Sequence, residues 1–367
     1  MPSSERQTKS QESRLRRAFL ALPILALCGI MARAFGMAEP IAPTLDNIRE
    51  ASLFDWNGVK VPVRRGFYGI GLLDEIFGPI TVVFGQLQFF GDQRAYWQSL
   101  VFLTDYAGMY AIFFLESFRP SNRGTLFQFP SPVLFLAQLV PIGFIGPLFF
   151  YLSYVFTPIE KLSSPSFHLR NWSSCAAVLP TMLLAYHFPH LPSFFHTNLE
   201  VRHWWNWVWQ LYPVWGSLVI LVFSKVILPL GARASLYVTT QKPQTKTLRI
   251  TVGILAVMNV SIYWYTLYNS KFSISEMFVP KYFFDKPAEA DVSLRTIIQY
   301  DYLCTFLAGY LWLGLHFRDL QVAGICKVRF VRTVCIAAII SGLFSPGTFL
   351  LLAWLAREEL LASIKDE

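Results

Sequence analysis

The sequence predicts an all-α polytopic transmembrane bundle of eight to nine spans, and three observations predict it. Hydrophobic residues make up 54% of the chain and charged residues only 15%, whereas a soluble globular chain carries about 25% charge. Mean hydropathy is +0.42. Apolar runs of the ~20 residues needed to cross a bilayer recur along the chain, and helices are the open-ended structure that satisfies a backbone in lipid. The net charge of +8 then points to anionic lipid rather than nucleic acid. No basic patch with interleaved stacking aromatics and no nucleic-acid motif is present.

Residues 1–65 read as one unit. Residues 1–17 are polar and basic (Arg14, Arg16, Arg17), and Ala18–Ala32 is a short apolar run. That is signal-peptide grammar, but Met31-Ala32-Arg33 is a poor cleavage site, so an uncleaved signal anchor fits as well. Either implies the secretory pathway, with the endoplasmic reticulum membrane the plainest destination. Residues 33–65, with Pro40, Pro43 and Pro62, read as a loop lying at the membrane interface.

Residues 66–367 read as the transmembrane bundle that carries the active site. Its spans are Gly66–Phe90, Trp97–Phe118, Pro132–Thr157, Ser173–Phe195, Trp204–Leu230, Leu248–Tyr268, Leu294–Phe317 and Phe330–Leu355. Prolines inside them (Pro79, Pro141, Pro147, Pro180, Pro189, Pro213, Pro346) predict kinks. The run Trp204-Trp205-Asn206-Trp207-Val208-Trp209 is an interfacial aromatic belt. With a cytosolic N-terminus and nine spans counting the anchor, Lys and Arg split nearly evenly between the two sides. Gly231–Thr247 and Arg318–Arg329 are then the richest cytosolic loops, and the glycosylation sequon Asn171-Trp172-Ser173 is left cytosolic. No internal repeat is evident, which weighs mildly against a carrier built on inverted repeats.

The stretch Phe77–Pro158 organises the chain, because its apolar runs have acids in and around them: Asp74, Glu75, Asp92, Asp105, Glu116 and, closing the third run, Glu160. A carboxylate in hydrocarbon is costly and by default marks a functional position. Asp105 and Glu116 are eleven residues apart and share one helix face, with Asp105 roughly 12 Å into the bilayer. Glu116 also reads as a snorkelling acid paired with Arg119 at i+3. Asp301 is the only acid in its span, and Thr305 and Trp312 share its face. If the two spans enter from opposite sides, Asp105 and Asp301 sit at similar depth and can line one cavity. The plainer reading of each Asp is a hydrogen-bonded packing acid.

A carboxyl group held in hydrocarbon favours its protonated form and can act as a general acid. That chemistry suits protonation of an epoxide or alkene on a lipophilic substrate. The chain's 33 Phe, 16 Tyr and 11 Trp can stabilise the resulting cation, although aromatic-rich bundles are ordinary packing too. The five cysteines form no CxxC or ligand-spaced pair. His187 and His190 straddle Pro189, a spacing that diagnoses no metal site. No GxSxG, P-loop, strand–helix GxGxxG or DDxxD-like cluster is present, so no cofactor is implied.

These motifs resemble a fungal family of polytopic membrane proteins. The likeness runs through Phe77-Gly78-Pro79-Ile80, Leu87-Gln88-Phe89-Phe90-Gly91-Asp92, Trp97-Gln98-Ser99-Leu100, Asp105-Tyr106-Ala107-Gly108 and Glu116-Ser117. It continues in Ile145-Gly146-Pro147-Leu148, Thr157-Pro158-Ile159-Glu160, Gln299-Tyr300-Asp301-Tyr302 and Trp354-Leu355-Ala356-Arg357-Glu358-Glu359. Some members are integral-membrane terpene cyclases of meroterpenoid biosynthesis, of the ascofuranone/ascochlorin type. The resemblance implies cyclisation of a lipophilic prenylated substrate, often a farnesyl-type epoxide, without metal. It assigns the acid role to Asp105 and Asp301 and a supporting proton-relay role to Glu116 and Glu160. Two rival readings use the same residues: a proton-coupled carrier of a lipophilic metabolite, and a non-catalytic membrane scaffold.

Overall fold

A computed structural model describes residues 12–56, 59–157, 168–169, 171–230 and 243–363. In chain order the helices are α1 (Arg14–Phe35), α2 (Ile41–Ala51), α3 (Gly71–Gln88), α4 (Gln93–Ser117), α5 (Pro130–Leu139) and α6 (Ile142–Phe156). They continue with α7 (Trp172–Thr181), α8 (Phe188–Phe195), α9 (Leu199–Gln210), α10 (Tyr212–Val222) and α11 (Pro243–Asn269). The last four are α12 (Ile274–Phe278), α13 (Ala290–Val322), α14 (Phe330–Phe344) and α15 (Pro346–Ser363). A π-helical segment, Met182–His187, joins α7 to α8. One antiparallel hairpin, β1 (Leu53–Trp56) and β2 (Val59–Pro62), pairs Leu53 with Pro62. Thus α2 and this hairpin stand where residues 33–65 predicted an interfacial loop. Among the described residues four helices are long and apolar enough to cross a membrane: Arg14–Phe35, Gln93–Ser117, Tyr212–Leu230 and Thr245–Asn269.

Helix α4 is the axis. Every residue from Ala95 to Glu116 is buried, the pattern of a helix enclosed on all sides. Asp92 caps its N-terminus, accepting from Arg94 N at 2.9 Å, and pairs with Arg295 at the start of α13. Further along, Gln98 donates to the Ile298 carbonyl at 3.2 Å and Tyr302 donates to Asp105 at 2.8 Å. Partners therefore advance together along both helices, and α4 and α13 run parallel. Helix α1 packs on α6 and α13, with Arg17 Nε donating to the Tyr154 carbonyl at 3.0 Å and Arg17 pairing with Asp319 at 2.9 Å.

The parallel course corrects the expectation that Asp105 and Asp301 enter from opposite sides. Its cause lies between them in sequence. The run Pro132–Thr157 does not continue straight. Helix α5 descends with Ser131 beside Ser217 (Oγ–Oγ 2.5 Å), the chain turns at Val140–Pro141, and α6 climbs back until Tyr154 meets Asp319 at 3.0 Å. A residue before proline is pushed out of the helical region, and Val140 is extended (φ −129°, ψ 138°). One run that doubles back reverses the sense of every span after it.

The last apolar run, Phe330–Leu355, doubles back as well. Tyr310 on α13 meets Ser341 at 2.8 Å, the chain turns at Ser345–Pro346, and α15 runs alongside α4 until Trp354 Nε1 donates to Glu116 at 2.9 Å. Ser345 has φ +89°, a backbone conformation costing roughly 1–3 kcal/mol for a non-glycine residue. The surrounding contacts hold it there: Ser345 Oγ donates to Asp105 Oδ1 at 2.6 Å, and Gly347 N donates to Asp105 Oδ2 at 2.9 Å.

A Cβ at Gly347 would lie 2.6 Å from Asp105 Cβ. Gly347→Ala is therefore expected to destabilise the folded chain by about 1–3 kcal/mol, read as a lower unfolding temperature in detergent. Gly253→Ala on α11, where nothing lies within 4 Å, is expected to be neutral or stabilising by up to about 1 kcal/mol. A Gly347→Ala protein as stable as Gly253→Ala would contradict the close packing at this hairpin tip.

Candidate active site

A cavity of about 340 Å³ opens beside α4, walled by six parts of the chain. The α1–α2 corner contributes Phe35, Ile41 and Leu45; α3 contributes Ile80, Val83, Phe84 and Leu87; α4 contributes Ser99, Phe102, Leu103 and Tyr106. The α5–α6 turn adds Gln138, Val140, Pro141 and Ile142, α9 adds Trp209, and α13 adds Leu294, Ile297 and Asp301. Asp301 is the single carboxyl group among the lining residues. The Tyr106 hydroxyl lies 2.7 Å from that of Tyr212. Ser99 and Gln138 add a hydroxyl and an amide, and the rest of the wall is aliphatic or aromatic.

Four consecutive side chains on α13 turn about 100° per residue and reach four different neighbours. Gln299 donates to the Met277 carbonyl at 2.8 Å and Tyr300 to the Tyr282 carbonyl at 3.0 Å. Asp301 Oδ1 accepts from Gly143 N, and Tyr302 donates to Asp105. Asp301 thus receives the first turn of α6, as Asp105 receives the first turn of α15. The two sites differ in what else surrounds the acid. Asp105 is fully enclosed and accepts three hydrogen bonds, from Ser345, Gly347 and Tyr302. Asp301 keeps 7% of its surface exposed and borders the cavity.

The other sequence-selected residues are placed elsewhere. Asp105 is not among the cavity's lining residues, so the two acids do not share one wall. Glu116 pairs with Arg119 (2.9 Å), as the i+3 spacing predicts, but it is buried rather than snorkelling. Arg357 and Trp354 also reach its carboxylate, and Arg119 and Arg357 share Glu358 at 2.7 Å and 2.8 Å. Two acids and two arginines thus alternate at the end of α4. Trp312 belongs to this cluster, lying 5.2 Å beneath the Arg357 guanidinium, and not to the cavity. Glu160 lies outside the described residues.

A second ionic group closes the same end, where Glu12 pairs with Arg318 at 2.7 Å. Burial pushes the Glu12 carboxyl up, but Arg318, Arg17 and Arg16 outweigh it and hold that carboxyl below its usual range. His190 Nε2 lies 3.1 Å from Thr104 Oγ1. Among the described residues no group of three His, Cys, Asp or Glu side chains is disposed to hold a metal ion.

Sequence reasoning missed the residues that complete these sites. Gly143 and Gly347 follow prolines in mid-run, and that Pro–Gly proximity inside an apolar stretch is the signal that could have found them. Arg357 and Glu358 were quoted within a motif without a role. Their partner Glu116 is distant in sequence, and no local spacing reveals it.

Residues 17–362 match the family model of the CtvD domain. The FAD-dependent monooxygenase verC1 of Penicillium polonicum is 26% identical over 363 residues, 99% of this chain and 45% of that protein. The FAD-dependent monooxygenase anuJ of Penicillium roqueforti is 25% identical over 84% of this chain and 37% of its own length. The terpene cyclase ctvD of Aspergillus terreus is 29% identical over 210 residues, 54% of this chain and 57% of that protein. The chain thus spans less than half the length of the two monooxygenases. No solved structure matches it significantly.

Breaking a buried ion pair from one side costs about 3–5 kcal/mol, whereas an exposed pair is worth about 0–1 kcal/mol. Glu116→Gln is therefore expected to lower the unfolding temperature markedly. Arg249→Gln, which removes the exposed 2.7 Å pair with Glu359, is expected to leave it nearly unchanged. Equal effects would contradict a structural role for the buried cluster.

Proposed function

The chain belongs to the CtvD-domain family, and on that premise we propose that it is a terpene cyclase of the endoplasmic reticulum membrane. It folds the prenyl chain of a lipophilic meroterpenoid precursor, a farnesyl-type epoxide, into rings by general-acid catalysis. The observation that carries this reading is the single carboxyl group, Asp301, among the residues lining a largely apolar and aromatic cavity.

In its neutral form Asp301 gives its proton to the epoxide oxygen. The C–O bond to the more substituted carbon breaks, and its electron pair stays on oxygen as a new hydroxyl. The next double bond attacks the cation, and each ring closure moves the charge along the chain. Phe35, Phe84, Phe102, Tyr106 and Trp209 supply aromatic walls, which stabilise cations through the ring quadrupole. The last cation loses a proton to the Asp301 carboxylate, directly or after a substrate hydroxyl has closed on it. The product is an isomer of the substrate. Asp105 and Glu116 support the reaction through architecture, one by holding α15 in place and the other by clamping the ends of α4 and α15.

The eight or nine spans read from hydropathy become six crossings in this reading. These are α1, α4, α7–α8, α9–α10, α11 and α13, with α5–α6 and α14–α15 re-entering from one side and α3 packed against α9 without crossing. Non-helical backbone at such depth is tolerated where protein buries it, and both turns are covered by an aspartate-bearing helix.

A second reading, a flavin-dependent monooxygenase, draws on the names of two relatives. Dinucleotide phosphates are commonly held by a strand, a Gly-rich turn and a helix. The stretch this chain shares with those two proteins is 45% and 37% of their length, and among the described residues the strands are one two-stranded hairpin, so the shared helical part is not where a flavin site of that kind would lie.

Microsomes carrying the chain, incubated with a farnesylated-phenol epoxide and with its non-epoxidised parent, separate these readings by mass spectrometry. A product of unchanged mass and shifted retention is expected from the epoxide alone. A product one oxygen heavier than the parent would favour the oxygenase, and full recovery of both compounds would favour a carrier or scaffold.

A further inference from the structure

The cavity carries more hydrogen-bonding capacity than protonation of one oxygen requires. Three residues on its wall hold buried polar atoms without a protein partner among the described residues: Ser99 Oγ, Gln138 Oε1 and Trp209 Nε1. They come from α4, α5 and α9, so no single local distortion explains them. Ser99 and Trp209 are each 1% exposed, and bulk water does not reach them.

Some comparable groups in this chain find partners, although Trp312 Nε1 and the Oε1 atoms of Gln86, Gln88, Gln98 and Gln210 have none among the described residues either; what sets these three apart is that they share one cavity wall. On the same helix, Thr104 Oγ1 donates to the carbonyl four residues back at 2.7 Å, a bond Ser99 does not make. The indole N–H groups of Trp215 and Trp354 find acceptors at 2.8 Å and 2.9 Å. Leaving a buried polar atom unpaired is costly, and native structures tolerate few of them. Three on one cavity wall are a demand placed on whatever fills it.

The chemistry of the three atoms is specific. An indole N–H only donates, an amide carbonyl only accepts, and a serine hydroxyl does either. We propose that Ser99, Gln138 and Trp209 form a head-group subsite, and that the ligand joins a polar head bearing both a hydroxyl donor and an oxygen acceptor to its apolar chain. This inference rests on the cyclase reading of the same cavity and deepens it. A hydroxylated aromatic or hydroxy-carbonyl head meets the demand, and a bare hydrocarbon leaves all three atoms unpaired. Anchoring the head at this subsite also decides which part of the chain meets Asp301.

Binding tests this directly, on the full chain purified in detergent and carrying Asp301→Asn so that turnover does not intervene. Two probes share one farnesyl-type epoxide tail; one ends in a phenol and the other in hydrogen. The phenol probe is expected to bind about 10-fold more tightly or better, the equivalent of one recovered buried hydrogen bond. Gln138→Met and Ser99→Ala, the second a loss of one atom, are each expected to shrink that ratio toward one. Equal affinity for the two probes, no binding of the phenol probe, or an unchanged ratio in both variants would overturn the subsite. Turnover is read separately with Asp301 intact. Head discrimination without any cyclised product would count against the cyclase reading and leave the subsite standing.

Discussion

A helix that begins in the middle of an apolar bundle exposes N–H groups that no water reaches. The structure depends on how that constraint is met. Helices α6 and α15 both begin at a turn that contains a proline, and each points its first turn at an aspartate on a neighbouring helix. Gly143 N donates to Asp301 and Gly347 N to Asp105. A carboxyl oxygen accepts from the terminus in either protonation state, which leaves the second oxygen of Asp301 free to carry a proton. Both glycines are needed for the approach, since a Cβ at either would sit 2.6–2.8 Å from atoms of its aspartate.

The same device has two outcomes. At Asp105 three donors enclose the carboxylate, and the site locks the α14–α15 hairpin against α4 and α13. At Asp301 the hairpin turn itself forms part of a cavity wall, and the acid faces apolar and aromatic side chains. The α1–α2 corner adds Phe35, Ile41 and Leu45 to the wall, which makes the N-terminal helix part of the site and not merely an anchor. The buried ionic clusters then fix the far ends of α1, α4, α13 and α15, so that the cavity is held between a rigid end and two pinned turns.

Much of this was legible in the sequence. Composition and apolar runs gave a helical bundle, and the fully buried α4 lies within the stretch Phe77–Pro158 that the acids singled out. Asp301, alone in its span, proved to be the carboxyl on the cavity wall, and the Glu116–Arg119 spacing predicted a contact that exists. The family resemblance agrees with the CtvD-domain match. The hairpins were not legible, because hydropathy measures length and not direction. Proline was no guide either: Pro79 and Pro147 lie inside α3 and α6 without breaking them, whereas Pro141 and Pro346 mark reversals. With the reversal at Pro141 unread, the relative sense of α4 and α13 came out wrong, and so did the idea that Asp105 and Asp301 share a cavity. The partnership of Glu116 with Arg357 and Glu358 depends on where α15 returns, which follows from the other hidden reversal, at Pro346.

The central claim is that two deep aspartates in similar settings have separated their tasks, Asp301 to chemistry and Asp105 to architecture. The measurement that tests it most directly is cyclised product formed per folded molecule in Asp301→Asn and Asp105→Asn, with the folded fraction taken from size-exclusion profiles. The account predicts that Asp301→Asn folds and loses about 100-fold or more of its product formation, the scale of a missing general acid. It predicts that Asp105→Asn yields fewer folded molecules, each retaining most of its activity. An active Asp301→Asn protein, or a well-folded and inactive Asp105→Asn protein, would contradict it.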